Sequence, residues 1–253
     1  MKLRFLGTGT STGNPEIGCR CEVCTSSDRR DRRFRASVLM EVEGRRILID
    51  CGPDFRMQML KTLETDCFME LDAVLLTHEH YDHAGGLDDL RSFCRKGALP
   101  VYAEDCVAEA IRSRLSYVFE KHRYPGIPNL NLIPVENCPF PVSGIEIIPV
   151  RLMHGNLPIF GYRIGNWAYL TDVKTIPEEE FDKLTNIDTL IINALRQKEH
   201  IAHQNVEQAL KTIKKINPRR AYLTHVSHQF GLHSQMEQNL PENIFIAYDG
   251  LAI

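Results

Sequence analysis

The chain alternates short apolar runs rich in β-branched residues with longer segments whose apolar positions recur at helical spacing. The short runs predict strands, and Glu43-Gly44 predicts a tight hairpin turn between two of them. The predicted strands are Lys2 to Leu6, Ser37 to Val42, Arg46 to Asp50, Asp72 to Thr77, Ile145 to Val150, Phe160 to Ile164, Trp167 to Leu170, Thr189 to Asn193, Ala221 to Thr224 and Ile244 to Ala247. The predicted helices are Pro53 to Thr65, Gly86 to Lys96 and Glu104 to Glu120. This order of elements predicts an α/β fold.

A further helix, Val206 to Ile216, is defined by both its apolar face and its ends. Its apolar face consists of Val206, Ala209, Leu210, Ile213 and Ile216. Asn205 is the predicted N-cap with Gln208 three residues later, and Pro218 ends the helix. His203 therefore lies just ahead of a helix N-terminus.

The composition fits one folded domain over residues 1–253. With 43% apolar residues the chain can bury a substantial core, and no repeat, low-complexity stretch or Gly/Ser linker divides it. A net charge of -3 gives no indication of a protein that coats nucleic acid or an anionic membrane. Because no long apolar run occurs at the N-terminus or elsewhere, we expect no signal peptide, no transmembrane helix and a cytoplasmic location.

The glycine-rich segment from Gly7 to Gly13 does not predict a dinucleotide site. It lacks the spacing G-x-G-x-x-G, and Asn14-Pro15 follows it in place of a helix. The dinucleotide motif requires strand, turn and helix in that order.

The densest chemistry lies in His78-Glu79-His80-Tyr81-Asp82-His83, directly after an apolar strand-like run. Three imidazoles and a carboxylate in so small a volume would crowd unfavourably without a cation. Nitrogen and oxygen donors together suit zinc, manganese or iron better than calcium or magnesium. The stretch therefore predicts a metal site.

Three isolated residues recur at the ends of later predicted strands. His154 follows the strand Ile145 to Val150, and Asp172 lies at the end of the strand that begins at Trp167. His225 lies at the end of the strand Ala221 to Thr224. Each alone would be an ordinary loop residue. Together they supply the additional ligands that a site for two metals requires.

The whole set resembles that of the metallo-β-lactamase fold hydrolases, across essentially the whole chain. The resemblance implies an αβ/βα four-layer sandwich with its site at one edge of two sheets. It implies one metal held by His78, His80 and His154, and a second held by Asp82, His83 and His225. By the same resemblance Asp172 lies between the metals, and Asp50 holds the ligand loop from behind without binding metal.

Such a site predicts a hydrolase. Two divalent cations can share a hydroxide at neutral pH and can draw charge from a phosphoryl or carbonyl oxygen, so no serine or cysteine nucleophile is needed. Asp82 would serve both as a ligand and as a catalytic residue. Redox di-iron members of the fold typically carry a glutamate where this chain has His80, which favours hydrolysis over oxygen chemistry.

A finer resemblance is to the PhnP-type phosphodiesterases. It rests on the C-x-C-x-x-C cluster Cys19, Cys21 and Cys24, and on His228, three residues after the last predicted ligand. The resemblance implies that these four side chains bind a structural zinc, on a loop at about residues 14–28. A reduced thiol cluster without metal is the alternative.

The same resemblance extends to Leu195 to His203, where a histidine of the PhnP type faces the metals. His203 matches that place better than His200, although both are candidates. Cleavage of a phosphodiester leaves an alkoxide that must be protonated, and an imidazolium near neutral pH is suited to that step. His203 is therefore the predicted general acid.

Together these features predict a metal-dependent phosphodiesterase for a small, cyclic diester such as a phosphoribosyl cyclic phosphate or a 2′,3′-cyclic nucleotide. It would use two active-site cations, Zn or Mn, and one structural Zn. We expect a small phosphodiester partner, no stable nucleic-acid complex and no membrane contact; a homodimer is a possible assembly. The rivals are a tRNA 3′-processing endonuclease of the same fold, a non-catalytic relative from cofactor biosynthesis, and, more weakly, a thioesterase or lactamase.

Overall fold

The strands form two sheets that pack face to face. The structure is a computed structural model that describes residues 1–66, 70–120 and 126–253. Its strands are β1 (Lys2–Gly7), β2 (Ser37–Val42), β3 (Arg45–Ile49), β4 (Ala73–Leu75), β5 (Leu99–Glu104), β6 (Leu130–Val135), β7 (Phe140–Val142), β8 (Ile145–His154), β9 (Leu157–Ile164), β10 (Trp167–Leu170), β11 (Thr189–Asn193), β12 (Arg220–Thr224) and β13 (Ile244–Ile246). Within the described residues the sheets have the orders β1-β2-β3-β4-β5-β6 and β13-β12-β11-β10-β9-β8-β7.

The helices cover the outer faces of both sheets. They are α1 (Phe55–Leu63), α2 (Tyr81–Ala84), α3 (Asp105–Arg114), α4 (Ser116–Phe119), α5 (Val206–Ile216) and α6 (His233–Glu237), with short 3-10 segments at Arg29–Asp31, Leu87–Phe93 and Glu178–Leu184. No helix in the described ranges is long and apolar enough to cross a membrane. Helix α5 has the predicted capping box, because the Asn205 side chain accepts from the Gln208 N–H while the Gln208 side chain accepts from the Asn205 N–H.

Three apolar layers form the core, one between the two sheets and one between each sheet and its helices. The middle layer lies between the sheets and contains large side chains such as Phe5, Tyr162 and Tyr169. One outer layer packs α1 and α3 on the first sheet, and the other packs α5 on the second. The predicted αβ/βα sandwich of the metallo-β-lactamase fold is confirmed.

Several predicted elements differ from the structure. The sequence prediction missed β5, β6 and β7, each of which contains a proline, Pro100, Pro134 or Pro141. A proline argues against a strand because it has no N–H to donate to a neighbouring strand. Both β6 and β7 are edge strands, where the loss of that hydrogen bond is tolerated. The predicted helix Gly86 to Lys96 is a shorter 3-10 segment, and the predicted helix Glu104 to Glu120 breaks where Leu115 leaves helical geometry.

The two sheets present their loop-bearing ends at one edge. Strands β3 to β6 run parallel in the first sheet, as do β10 to β13 in the second. The carboxyl ends of parallel strands meet at a common edge, so the residues that follow β3, β4, β10 and β12 converge there. A cross-sheet bond from the Phe160 N–H to the Thr77 carbonyl, 3.1 Å long, joins the two sheets directly before His78.

Candidate metal centre

The structure brings all seven predicted metal ligands together at this edge. They come from the loop after β4 and from α2 (His78, His80, Asp82, His83), from the last residue of β8 (His154), and from the residues directly after β10 (Asp172) and β12 (His225). The ligating atoms of four of them lie within 4.8 Å of one another: Asp82, His83, Asp172 and His225. The first and last of these four are about 140 residues apart in the sequence.

Three polar residues at this edge have left-handed backbones within two residues of the end of a buried strand. Asp50 has φ 63°, Asp172 has φ 60° and His225 has φ 54°. This conformation is uncommon outside glycine and concentrates at functional sites. In each case it turns the chain out of the sheet while the side chain stays at the buried strand end.

The ligand atoms fall into the two groups that the family resemblance implies, with Asp172 between them. His78, His80 and His154 form one group. In the other, Asp172 Oδ1 lies 3.1 Å from His225 Nε2 and 3.3 Å from His83 Nε2. The other carboxylate oxygen of Asp172, Oδ2, lies 3.8 Å from His78 Nε2 and so faces the first group.

Several nitrogens in these groups are buried and have no hydrogen-bond partner in the described part of the chain. They are Nε2 of His78, Nε2 of His83 and both ring nitrogens of His225. A buried polar atom without a partner costs about 1–3 kcal/mol, and such atoms are rare in folded proteins. Divalent cations would satisfy the nitrogens that face the carboxylates, so this donor set fits the predicted metals.

Asp50 and Thr77 orient two of the imidazoles from behind. His83 Nδ1 donates to Asp50 Oδ2 at 2.7 Å, which leaves Nε2 directed at the metal centre. Asp50 also accepts from the N–H and the hydroxyl of Thr77, and the Thr77 hydroxyl lies 2.9 Å from His78 Nδ1. The geometry places Asp50 where the sequence predicts it. Thr77 was missed, although its position directly before His78 is the signal that could have found it.

The loop beneath Asp50 packs too closely for side chains. A Cβ at Gly52 would lie 2.1 Å from the Asp82 carbonyl oxygen. Glycine at this position therefore lets the turn after β3 lie against the α2 backbone.

His154 is oriented by main-chain carbonyls. Its Nδ1 lies 3.0 Å from the carbonyl oxygens of both Asp172 and Ala202, so an N–H there leaves Nε2 free to face the metal centre. The Ala202 carbonyl belongs to the loop that carries His200 and His203. The position of His154 thus depends on that loop.

Lys174 holds this loop and was missed by the sequence analysis. Its ammonium donates to the His200 carbonyl at 2.6 Å and to the side chains of Glu199 and Gln208 at 3.3 Å each. Gln208 belongs to the capping box of α5. Lys174 therefore ties the Asp172 turn, the histidine loop and the start of α5 together.

The two carboxylates of the second group stay ionised. Burial alone would raise the pKa of Asp172, but His225 and His83 hold it well below the usual range. Burial would also raise the pKa of Asp82, which His83 and His225 lower in the same way. Burial would lower the pKa of His83, but the carboxylates of Asp172, Asp82 and Asp50 raise it well above the usual value. The group therefore favours positive charge at its centre.

His203 lies at the inner side of the loop, beside the metal centre. Its Nδ1 is buried without a hydrogen-bond partner in the described residues, 3.9 Å from Asp172 Oδ2. Its ring centroid lies 4.5 Å from that of His154, and His200 lies further out, 5.1 Å from His203 between centroids. Burial lowers the pKa of His203 to about 3, although Asp172 opposes the shift. Burial therefore favours the neutral ring of His203 in the free protein.

The predicted zinc-loop residues also lie together. Sγ of Cys19 and Sγ of Cys21 lie 3.2 Å and 3.3 Å from His228 Nδ1, and Cys24 completes a set within 4.8 Å. The other ring nitrogen of His228, Nε2, lies 3.0 Å from Glu16 Oε2. Three thiols and an imidazole in this arrangement fit a closed tetrahedral zinc site. Glu16 was missed, because a lone glutamate before a cysteine cluster carries no signal in the sequence.

Residues 45–226 match the sequence family described as the beta-lactamase superfamily domain. A curated relative from Porphyromonas gingivalis, named octanoyltransferase, is 51% identical over 99% of this chain and 51% of its own length. The chain spans about half the length of the curated relatives it matches.

Two solved structures share the fold over the whole chain. A diphosphatase from the PhnP family has a TM-score of 0.92 at 36% identity, covering 100% of this chain and 96% of that one. Zinc-bound PqqB from Methylobacterium extorquens has a TM-score of 0.78 at 19% identity, covering 100% and 99%.

Proposed function

The chain belongs to the beta-lactamase superfamily domain family, and on that premise we propose that it is a metal-dependent phosphodiesterase for a small, cyclic phosphodiester. The observation that carries the proposal is the set of buried imidazole nitrogens without partners around Asp172 and Asp82. The 36% identity to the PhnP-family diphosphatase over nearly its whole length supports a phosphoryl compound as the substrate.

The residues divide the work of this reaction. His78, His80 and His154 would hold one cation and Asp82, His83 and His225 the other, with Asp172 serving both. Cations bound there would supply a nucleophile from water near pH 7 and would neutralise charge on the phosphoryl oxygens.

His203 would handle the proton of the leaving group. In the free protein it is a neutral imidazole whose pKa burial lowers to about 3. An anionic phosphoryl group beside it would raise that pKa, because a negative charge favours the protonated ring. Binding of the substrate would thus favour protonation of His203, which would then donate a proton to the leaving oxygen.

The rivals are less well supported. A tRNA-processing nuclease would need a basic gripping surface, and the net charge of -3 gives no support for one. A non-catalytic relative would be expected to lack ligands, and every predicted position here holds a ligand-type side chain. The octanoyltransferase relative is about twice as long as the stretch it shares with this chain, so its name does not assign acyl transfer to this half. A homodimer and a cytoplasmic location remain part of the proposal.

Metal analysis and turnover test the proposal together. We expect about three metals per chain, and hydrolysis of ribosyl 1,2-cyclic phosphate or 2′,3′-cyclic nucleotides in preference to precursor tRNA or octanoyl thioesters. One metal per chain without hydrolysis of any diester would refute it.

A variant pair tests the choice of general acid. His203→Ala should lower turnover by about 10²–10⁴-fold while the metal content stays unchanged, whereas His200→Ala should have a much smaller effect. The reverse order would identify His200 as the acid.

A further inference from the structure

A polar cavity lies between the cysteine loop and the metal centre. It has a volume of about 150 Å³, with Glu16 and His228 on the side of the cysteines and Arg196 and His200 on the side of the histidine loop. Ser11, from the segment before the cysteines, also lines it. Because the ring centroid of His200 lies 5.1 Å from that of His203, the cavity adjoins the reaction site.

We infer that this cavity receives the hydroxyl-bearing alcohol portion of the diester, and that Glu16 and the cysteine site set its affinity. The inference rests on the proposed phosphodiesterase function. The lining offers a carboxylate, a guanidinium and side-chain hydroxyls, a mixture of acceptors and donors that suits a group with several hydroxyls. Pockets for drug-sized ligands have about 300–1,000 Å³, so this one suits a sugar-sized group and not a whole nucleotide.

One imidazole ring links the cysteine site to the wall of the cavity. His228 Nδ1 faces the thiols of Cys19 and Cys21, and its Nε2 faces Glu16 Oε2 at 3.0 Å. A cation among the cysteines would take the Nδ1 lone pair and so place the ring proton on Nε2, where it donates to Glu16. The main-chain N–H of Glu16 also donates to Cys24 Sγ at 3.4 Å. Glu16 is thus fixed to the cysteine site through both its backbone and its side chain.

This geometry makes Glu16 a residue that selects the alcohol portion of the substrate. The cysteine site holds Glu16 in position. Loss of either should weaken binding of the alcohol portion while leaving the metal centre intact, because none of the metal-centre ligands comes from the segment that carries Glu16 and the cysteines. A purely structural role of the cysteine site would instead alter the stability of the protein and not its preference among substrates.

The test compares a sugar phosphate with a substrate that has no sugar. Glu16→Ala should weaken the binding of ribose 5-phosphate, measured by calorimetry, about tenfold, with a smaller effect for Glu16→Gln, which keeps an acceptor oxygen. Hydrolysis of bis(p-nitrophenyl) phosphate and the content of the two active-site metals should stay within twofold of the wild type. Glu22→Ala, at an exposed glutamate of the same loop, is the matched control.

Cys24→Ser tests the link to the cysteine site. It should remove one metal per chain and weaken ribose 5-phosphate binding to a similar extent. Unchanged affinity in Glu16→Ala would overturn the assignment of the cavity, and unchanged affinity in Cys24→Ser despite loss of the metal would overturn the link. Failure of the wild type to hydrolyse any diester would refute the proposed function, whereas ribose 5-phosphate binding would still decide the role of Glu16.

Discussion

The metal centre and the cysteine loop are both clusters of candidate metal ligands, but they are built in different ways. The metal centre draws its ligands from the ends of strands in both sheets, and His78, His83, Asp172 and His225 are almost completely buried. The cysteine loop takes three of its four ligands from six consecutive residues, and Cys21 is exposed. The first cluster exists only when the two sheets are packed, whereas most of the second is contiguous in the chain.

The difference in burial sets what each cluster tolerates. A buried carboxylate surrounded by imidazoles is costly to leave unpaired, so loss of one member should disable the whole centre. The cysteine cluster is partly exposed, so loss of one member can be relieved by water and should weaken substrate binding without disabling the metal centre.

The largest effect should follow from Asp172→Asn. It removes the charge that lies between the two ligand groups, 3.1 Å from His225 and 3.8 Å from His78. We expect loss of bound metal and a fall in turnover of about 10³-fold or more, equivalent to several kcal/mol of charge stabilisation. Metal analysis and kinetics measure both quantities, and Asp182→Asn at an exposed site is the control. Normal metal content and normal turnover in Asp172→Asn would contradict the two-group arrangement.

Asp50→Asn should have an intermediate effect, because Asp50 acts on His83 and not on the metal. The amide can still bond to His83 Nδ1 but no longer provides a charge to stabilise it. We expect metal affinity or activity to fall about 10–100-fold. Competition with a chelator measures the affinity, and a value equal to that of the wild type would show that the bond does not tune the centre.

Cys21, which is exposed, should react readily with an alkylating reagent. Burial raises the pKa of Cys21, but hydrogen bonds from the Cys24 backbone and from His228 together lower it to about 6. Burial raises the pKa of Cys24 to about 11. A thiolate forms above its pKa, so alkylation of Cys21 in the metal-free protein should accelerate about tenfold between pH 5 and pH 7. Cys106, whose pKa burial raises, is the internal control. Mass spectrometry with iodoacetamide measures both rates, and parallel pH profiles would contradict the prediction.

Lys174→Met should give the smallest effect. It removes the bonds that hold the histidine loop but no ligand. Turnover should fall roughly two- to tenfold, the equivalent of one hydrogen bond of about 0.5–1.5 kcal/mol, with the metal content unchanged. Lys211→Met breaks an exposed ion pair with Glu207 and should leave turnover unchanged. Equal rates for the two variants would show that Lys174 does not position the loop.

The same contrast explains what could be predicted. The predicted class, a metal-dependent hydrolase of the metallo-β-lactamase fold, is confirmed. The density of histidines from His78 to His83 and the spacing of Cys19, Cys21 and Cys24 are local patterns, so they can be recognised without a structure. That these residues bind metals remains a prediction until metals are measured.

The sequence by itself determined the strand and helix order of most of the chain, the ligand types, and the residues at which buried strands end in a histidine or an aspartate. The tertiary structure decided the rest. It placed β6 and β7 at sheet edges where their prolines are tolerated, and it gave Thr77, Lys174 and Glu16 their partners from distant segments. The physical reason is that a metal ligand is recognisable by its own chemistry, whereas a residue that orients a ligand is an ordinary polar side chain until the fold brings its partner within hydrogen-bond distance.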